Sequence, residues 1–408
     1  MMSIIYILLV LLIVTRIFGE ISERFGQPAL LGELISGICL GVIVHHYDQR
    51  FIVLANLADN KVFAAITDLG IFFLMLLGGM ELQPGKLLKS SKGALVVATF
   101  GMLLPFSLGA GLGYLTLPHS GLRNAQILFL GTVLAVTAVP VSVRALMDLG
   151  KLDGRVGQLI VSAAVIDDTL SLILLAILTA ILKTGSAPDF STLVMLLGKV
   201  VVFFIIAGLL GYYLFPRVGR WLKKSKAEEF EFSVLLIAGM SYSLIAEAFG
   251  MHFILGAFLA GLFFRKKTIN EKTFDEIMLK VRGLTAGFFA PIFFASIGLH
   301  LDLIALKEIP GFVLVLILIA CIGKVFGAGL SSRMIGLPMW EATAVGIGMN
   351  ARGAVELIIA DIAMGAGMFS APDPASPVID NMFSAVVIMA IVTTLVTPPA
   401  LKWALQRS

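Results

Sequence analysis

The sequence predicts an all-α polytopic membrane protein of about thirteen spanning helices, arranged as an inverted repeat of two six-helix halves. Three observations carry that prediction. Hydrophobic residues make up 59% of the chain against 14% charged, with a mean hydropathy of +1.01. Apolar runs long enough to cross a bilayer alternate with short basic connections. A glycine pattern from the first fifth of the chain returns in its second half.

The spans fall near residues 2–19, 28–45, 61–82, 93–117, 123–149, 153–184, 191–216, 229–249, 252–265, 283–301, 309–333, 339–367 and 380–403. The first has no basic residue ahead of it and no small-residue cleavage pattern, so it reads as a retained helix rather than a signal peptide. The third is expected to be interrupted near Asp68, and the ninth is short. Small residues that let spanning helices approach closely recur at Gly37-xxx-Gly41, Gly109-xxx-Gly113 and Gly323-xxx-Gly327. Cys39 and Cys321 each sit in an apolar stretch, so neither a disulfide framework nor a metal site is expected, and nothing calls for a cofactor. The formal charge of +4 is not a nucleic-acid signal, because the basic residues gather in loops. With the last span ending close to Ser408, no soluble regulatory domain is expected, and residues 1–408 read as one transmembrane domain.

Loop charge sets the orientation. Connections after odd-numbered spans hold about twenty Lys and Arg, whereas those after even-numbered spans hold only Arg50, Lys61, Arg123, Lys183 and Lys307. The positive-inside rule then puts the odd-numbered loops and the C-terminus in the cytoplasm and the N-terminus outside, in a cell (inner) membrane.

The repeat pairs Gly26-Gln-Pro-Ala-Leu-Leu-Gly32-Glu-Leu-Ile-Ser-Gly37 with Gly250-Met-His-Phe-Ile-Leu-Gly256-Ala-Phe-Leu-Ala-Gly261. Gly79-Met-Glu-Leu82 and Gly298-Leu-His-Leu301 form a second echo. Residues 1–184 are then one half, 185–226 a connecting helix and loop, and 227–408 the other half. The seven-span offset is odd, so the halves lie inverted, a transporter architecture with its site near the midplane. Chance similarity between apolar helices is the competing explanation.

The sixth span centres on Ser162-Ala-Ala-Val-Ile-Asp167-Asp168-Thr-Leu-Ser171. Each ionised acid at mid-bilayer costs about 2.5–3.5 kcal/mol on insertion scales, and neighbours repel as well. One acid suffices for a structural polar knot satisfied by Ser and Thr hydroxyls. Two at one depth suit exchange, since they can hold protons or shed them to take a cation. Ser162, Thr169 and Ser171 can offer oxygens to a cation or simply bond the preceding turn.

Two other spans contain poor helix sequence at the same depth. The fifth reads Thr132-Val-Leu-Ala-Val-Thr137-Ala138-Val139-Pro140-Val-Ser142-Val-Arg144, and Pro140 removes a donor and disfavours helix at Val139. The twelfth reads Gly346-Ile-Gly348-Met-Asn350-Ala-Arg352-Gly353-Ala-Val-Glu356. Both predict unwinding with bare carbonyls facing a polar cavity, against a simple proline kink for the fifth. Arg352 and Glu356 stand four apart, a spacing for mutual neutralisation on a continuous helix as much as for ion contact. Lys324 lies mid-span in the eleventh with no acid nearby in sequence. Its counter-charge must come from another helix, Asp167 or Asp168, unless it snorkels to the interface. Glu33, Glu247, Asp361, His252 and Arg16 read as solvated or locally paired.

Together these motifs resemble the cation:proton antiporter-2 family, which includes bacterial sodium/proton antiporters, across essentially the whole chain. Val165-Ile-Asp167-Asp168 is the most specific part. The resemblance implies two interrupted helices crossing beside the acids, a mobile core domain, and a separate domain forming a homodimer. It implies that Asp168 is the main cation and proton carboxylate and that Asp167 pairs with Lys324 when the ion is absent. Thr137 and the backbone at Ala138 and Val139 would face the ion. The family's sodium/proton members commonly read Pro-Arg-Gly-Glu-Val in the twelfth span. Here the run is Asn350-Ala-Arg352-Gly353-Ala-Val-Glu356, closer to broader exchangers that include potassium carriers.

The reading is a secondary antiporter that exchanges sodium, or potassium, for protons, and not an enzyme. An intramembrane aspartyl protease needs two carboxylates facing one water, whereas neighbours on a helix point about 100° apart. A sodium-coupled symporter of an organic solute needs a larger cavity than the Val, Ile, Leu and Ala around the acids suggest.

Overall fold

The computed structural model describes residues 2–46, 61–81, 84–184, 190–217, 229–265, 271–299, 304–353, 356, 359–360, 363–364, 367–372 and 376–407. Among these residues the chain is helical, with no strand. We number the main helices α1 (Met2–Arg24), α2 (Ala29–His46), α3 (Lys61–Glu81), α4 (Pro84–Thr116), α5 (Arg123–Ala135), α6 (Val139–Asp148), α7 (Arg155–Thr184), α8 (Phe190–Leu209), α9 (Phe230–Ala248), α10 (Phe253–Phe263), α11 (Glu271–Leu284), α12 (Ala290–Leu299), α13 (Pro310–Met334), α14 (Met339–Gly348) and α15 (Met382–Leu405). Nine helical stretches among the described residues are long and apolar enough to span a membrane, counting α5 with α6 and α11 with α12 as one each. Asp361, His300, Leu301, Arg50 and several of the counted loop lysines lie outside the described residues.

Local sequence explains where the helices stop. Gly26 and Gly250, with φ of 69° and 78°, end α1 and α9 in the left-handed conformation that glycine adopts without strain. The His252 ring then accepts from the Ile254 N–H at the start of α10, which explains how so short an apolar helix begins cleanly. Single π-turns at Leu210–Leu214 and Thr285–Phe289 continue α8 and join α11 to α12.

Two expectations are corrected. The third span is not interrupted at Asp68, because α3 runs unbroken from Lys61 to Glu81. Asp68 stands on the exposed side of the helix while Phe72 to Met80 are buried, so the acid requires no backbone break. The tenth span starts earlier than its apolar run, since the amphipathic Glu271–Leu284 segment extends it as helix. Phe274, Ile277 and Val281 bury one face of that extension at helical spacing.

The helices sort into two packed groups. One contains α1, α2, α3, α9, α10 and the α11–α12 pair; the other contains α4, α5, α7, α13, α14 and α15, and α6 lies between them. Within the first group, the repeat glycines make matched contacts. A Cβ on Gly32 would sit 2.1 Å from Phe18 O, and one on Gly256 would sit 2.3 Å from Tyr242 O. Phe18 and Tyr242 precede their glycines by the same number of residues. Likewise a Cβ on Gly37 would meet Ala295 O at 2.1 Å and one on Gly261 would meet Leu76 O at 2.1 Å. Any side chain there pushes two helix backbones apart.

We expect Gly32→Ala to destabilise the protein by about 1–3 kcal/mol, the range for overpacking a tight contact. Gly111→Ala, where nothing lies within 4 Å, serves as the matched control. Thermal melting in detergent tests the difference, and equal melting of the two variants counts against close α1–α2 packing.

Candidate functional site

Both expected breaks are present and they meet. In the fifth span α5 ends at Ala135, and Val136 and Ala138 are extended (φ −69°, ψ 155° and φ −86°, ψ 93°). Pro140 falls in the first turn of α6, where a missing N–H costs nothing, so it starts a second half-helix rather than kinking one. In the twelfth span α14 ends at Gly348, Ala351 to Gly353 are non-helical, and Glu356 is helical again. The Ala138 N–H donates to Ala351 O at 2.8 Å, which ties one break to the other. Thr137 Oγ1 donates to Met349 O at 3.2 Å, and Ser142 Oγ donates to Gly348 O. Carbonyls and amides released by unwinding thus find partners across the junction.

The charged side chains gather around this junction. Lys324 Nζ, from α13, lies 3.2 and 3.3 Å from the two carboxylate oxygens of Asp167 on α7. Both side chains are 0% exposed. Of the two candidate counter-charges for Lys324, the geometry therefore selects Asp167, and the lysine does not snorkel. Thr137 also borders the Asp167 carboxylate. Asp168, one residue on, is only half-buried and forms no ion pair among the described residues. Adjacent positions on a helix point about 100° apart, which explains how one acid is fully buried while its neighbour is only half-buried. Ser162 and Ser171 return their hydroxyls to Gln158 O (2.7 Å) and Asp167 O (2.8 Å) and so keep their hydrogens within the helix. The Thr169 side chain lies outside the described residues.

Arg352 and Glu356 do not form the pair that their spacing suggests, because the helix is broken between them. Arg352 is fully buried and donates to Leu134 O (2.7 Å), Ala320 O (3.3 Å), Asn350 O (3.2 Å) and Asn350 Oδ1 (3.2 Å). Leu134 belongs to the last turn of α5, so a cation sits at the negative end of that half-helix. Glu356 Oε2 accepts from the Gly353 N–H at 2.7 Å, placing a carboxyl on an amide freed by the break. Its Oε1 is buried with no hydrogen-bond partner among the described residues. Asn350 Nδ2 lies 3.5 Å from Cys321 Sγ.

Two supporting residues carry no distinct signal in the sequence. Ser142 bridges the breaks, and Thr394 of α15 donates to Arg352 O. Hydroxyls are common in spanning helices, and only the crossing of the two breaks distinguishes these. No group of three His, Cys, Asp or Glu side chains suited to a resident metal occurs among the described residues.

A family model described as sodium/hydrogen exchanger, transmembrane, matches residues 7–407. The chain belongs to the sodium/hydrogen exchanger family. Among the exchanger's relatives is the Na(+)/H(+)-K(+) antiporter GerN of Bacillus cereus, 34% identical over 96% of this chain and 94% of the relative. Another is the Na(+)/H(+) antiporter of Enterococcus hirae, 29% identical over 98% of each. The exchanger's fold matches that of the sodium proton antiporter MjNhaP1 from Methanocaldococcus jannaschii with a TM-score of 0.68, covering 100% of this chain and 98% of the other at 17% identity.

Removing Lys324 alone leaves the Asp167 carboxylate buried and uncompensated, which typically costs about 3–5 kcal/mol. We expect Lys324→Met to melt well below the parent at pH 8. The Asp167→Asn/Lys324→Met double variant should recover much of the loss at pH 8. Independent, additive losses in the melting series would show that the pair is not coupled.

Proposed function

We propose that Asp167 and Asp168 form the shared ion and proton site of a monovalent cation/proton antiporter working by alternating access. Monovalent cation/proton antiport is the activity that family membership and the site support together. One observation carries the residue assignment: a sealed Lys324–Asp167 pair stands beside a half-buried Asp168, where two broken helices meet. Asp168 is the carboxylate that alternately holds a proton and the transported cation. Asp167 keeps Lys324 in the ion-free site and turns to the ion as it arrives. Thr137 and the backbone at Ala138 and Val139 supply oxygens, because unwound carbonyls at mid-depth replace part of a cation's hydration shell. Arg352 and Glu356, with Asn350 and Pro140, stabilise the half-helix ends so that the gap persists when the cation leaves.

Charge bookkeeping links the site to coupling. Exchanging one cation for the proton of Asp168 moves no net charge. When Lys324 also gives up its proton, two protons trade for one cation and transport is electrogenic. Sodium is the first substrate in this reading and potassium the second, which accords with the names of the Bacillus cereus Na(+)/H(+)-K(+) antiporter and the Enterococcus hirae Na(+)/H(+) antiporter.

The same reading extends to the whole chain. Thirteen spans form two inverted six-span halves, 1–184 and 227–408, joined by residues 185–226, with the broken fifth and twelfth spans as counterparts. The matched Gly32 and Gly256, and Gly37 and Gly261, contacts support that symmetry. The protein sits in the cell membrane with its N-terminus outside and C-terminus in the cytoplasm, as a homodimer whose α4–α7 and α13–α15 bundle moves against the other.

Proteoliposomes with an imposed pH gradient, read by fluorescence dequenching, test the assignment with sodium, potassium and lithium in turn. Asp168→Asn should reduce cation-dependent proton movement to that of empty vesicles while the protein melts as a folded species. Exchange retained in this variant would remove Asp168 as the carrier.

A further inference from the structure

At the end of α6 away from the helix breaks lies a charged cluster that the transport site does not use. Arg144 is 6% exposed, and its Nη2 lies 3.7 Å from Glu33 Oε1 on α2, itself 1% exposed. Arg144 Nε lies 2.9 Å from Asp148 Oδ1 on the same helix, and the Asp148 carboxylate also borders the Leu30 N–H in the first turn of α2. Asp148 thus occupies the amide end of α2, where a carboxylate is favoured by the helix dipole. Both contacts join a helix of the first group to the half-helix that begins at the ion site. Arg16 and Glu23 of α1 are the next charges facing Glu33, but Arg16 donates to Ala286 O, and Arg144 is the only ion-pair partner of Glu33 among the described residues.

Beside this cluster the two groups part. A cavity of about 510 Å³ opens there, with Leu77, Glu81, Arg282 and Ala286 on one wall and Arg144, Asp148 and Gly150 on the other. On its first wall Arg282 is matched by Glu81 at 2.6 Å. Crossing contacts next to open space are those that change when the groups move. The helix α6 has ten residues, about 15 Å at 1.5 Å per residue, so a shift at Val139 is carried rigidly to Asp148.

We propose that Arg144, held between Glu33 and Asp148, closes a clasp between the two helix groups that must open in every exchange cycle. Arg144 is then a positioning residue for the reaction, acting on the ion site through α6. The inference rests on the antiport reading and adds the contact that sets which conformation is populated. An ion pair at 3.7 Å suits such a device, since it holds one state without welding the groups together.

Cysteines introduced by Ala29→Cys and Asp148→Cys, with Cys39 and Cys321 both changed to Ser, test the proposal. That background is assayed first for cation-driven proton flux, and absence of flux in it and in the parent would refute the antiport reading and the clasp with it. Joining the pair with a short reversible methanethiosulfonate linker should stop exchange, and thiol reductant should restore it. Exchange that continues in fully linked protein overturns the proposal. Glu33→Gln provides a second reading that needs no linker. It should shift the apparent KM for sodium at least threefold and change kcat, because loss of the clasp redistributes the two conformations. A purely structural role would lower the melting temperature and leave KM where it was, and that result also overturns the clasp.

Discussion

The burial of Lys324 against Asp167 is the constraint around which the rest of the molecule is arranged. Two charges taken out of water are costly, and their attraction repays that cost only with good geometry and satisfied surroundings. Here the ammonium reaches both carboxylate oxygens, and both side chains are fully buried. What surrounds them is not ordinary helix. Two breaks supply amides, carbonyls and hydroxyls at the depth where an unbroken helix presents only apolar side chains. The breaks need the charges as much as the charges need the breaks, because unwound backbone in a membrane protein persists only where it is buried against polar partners.

The same logic governs Arg352 and Glu356. Each half-helix end carries a partial charge from its unsatisfied groups. Arg352 meets the carbonyl end of α5 and Glu356 meets the Gly353 amide freed by the second break. Neither charge has to neutralise the other directly. This division keeps the guanidinium on carbonyls and the carboxyl on an amide. The cost of the arrangement is visible in Arg352 Nε and Glu356 Oε1, which are buried and have no hydrogen-bond partner among the described residues.

Much of this was legible in the residues. Asp167, Asp168 and Lys324 stand out because charge is rare at mid-span, and the breaks because proline and paired glycines interrupt apolar runs. Spacing alone left open which acid takes the lysine, and only the family resemblance implied Asp167, since the choice depends on how α7 is rotated against α13, a tertiary property. The Arg352 and Glu356 spacing misled for a related reason, because a four-residue interval brings side chains together only if the helix between them is intact. Asp68 misled in the opposite sense. A charge inside an apolar run resembles a break, yet α3 simply turns it outward. Ser142, Thr394 and the Arg144 cluster gave no local signal at all, since their partners are distant in the chain.

The repeat and the site make opposite demands, and the chain meets them in different places. Close backbone contacts at Gly32, Gly37, Gly256 and Gly261 occur in matched pairs, as expected of two halves sharing one packing scheme. The carboxylates do not. In the proposed repeat the counterpart of α7 is α15, whose sequence contains no Asp or Glu and carries Thr393, Thr394 and Thr397 buried among apolar residues. In the proposed inverted repeat, symmetric packing would let one scaffold adopt two related conformations of similar energy. In the proposed exchange cycle, a charge placed once, where the breaks meet, gives both conformations the same single site to expose. Duplicating the acids would create two sites and repulsion between them, whereas confining them to one half leaves the second break free to supply Arg352 as the balancing cation.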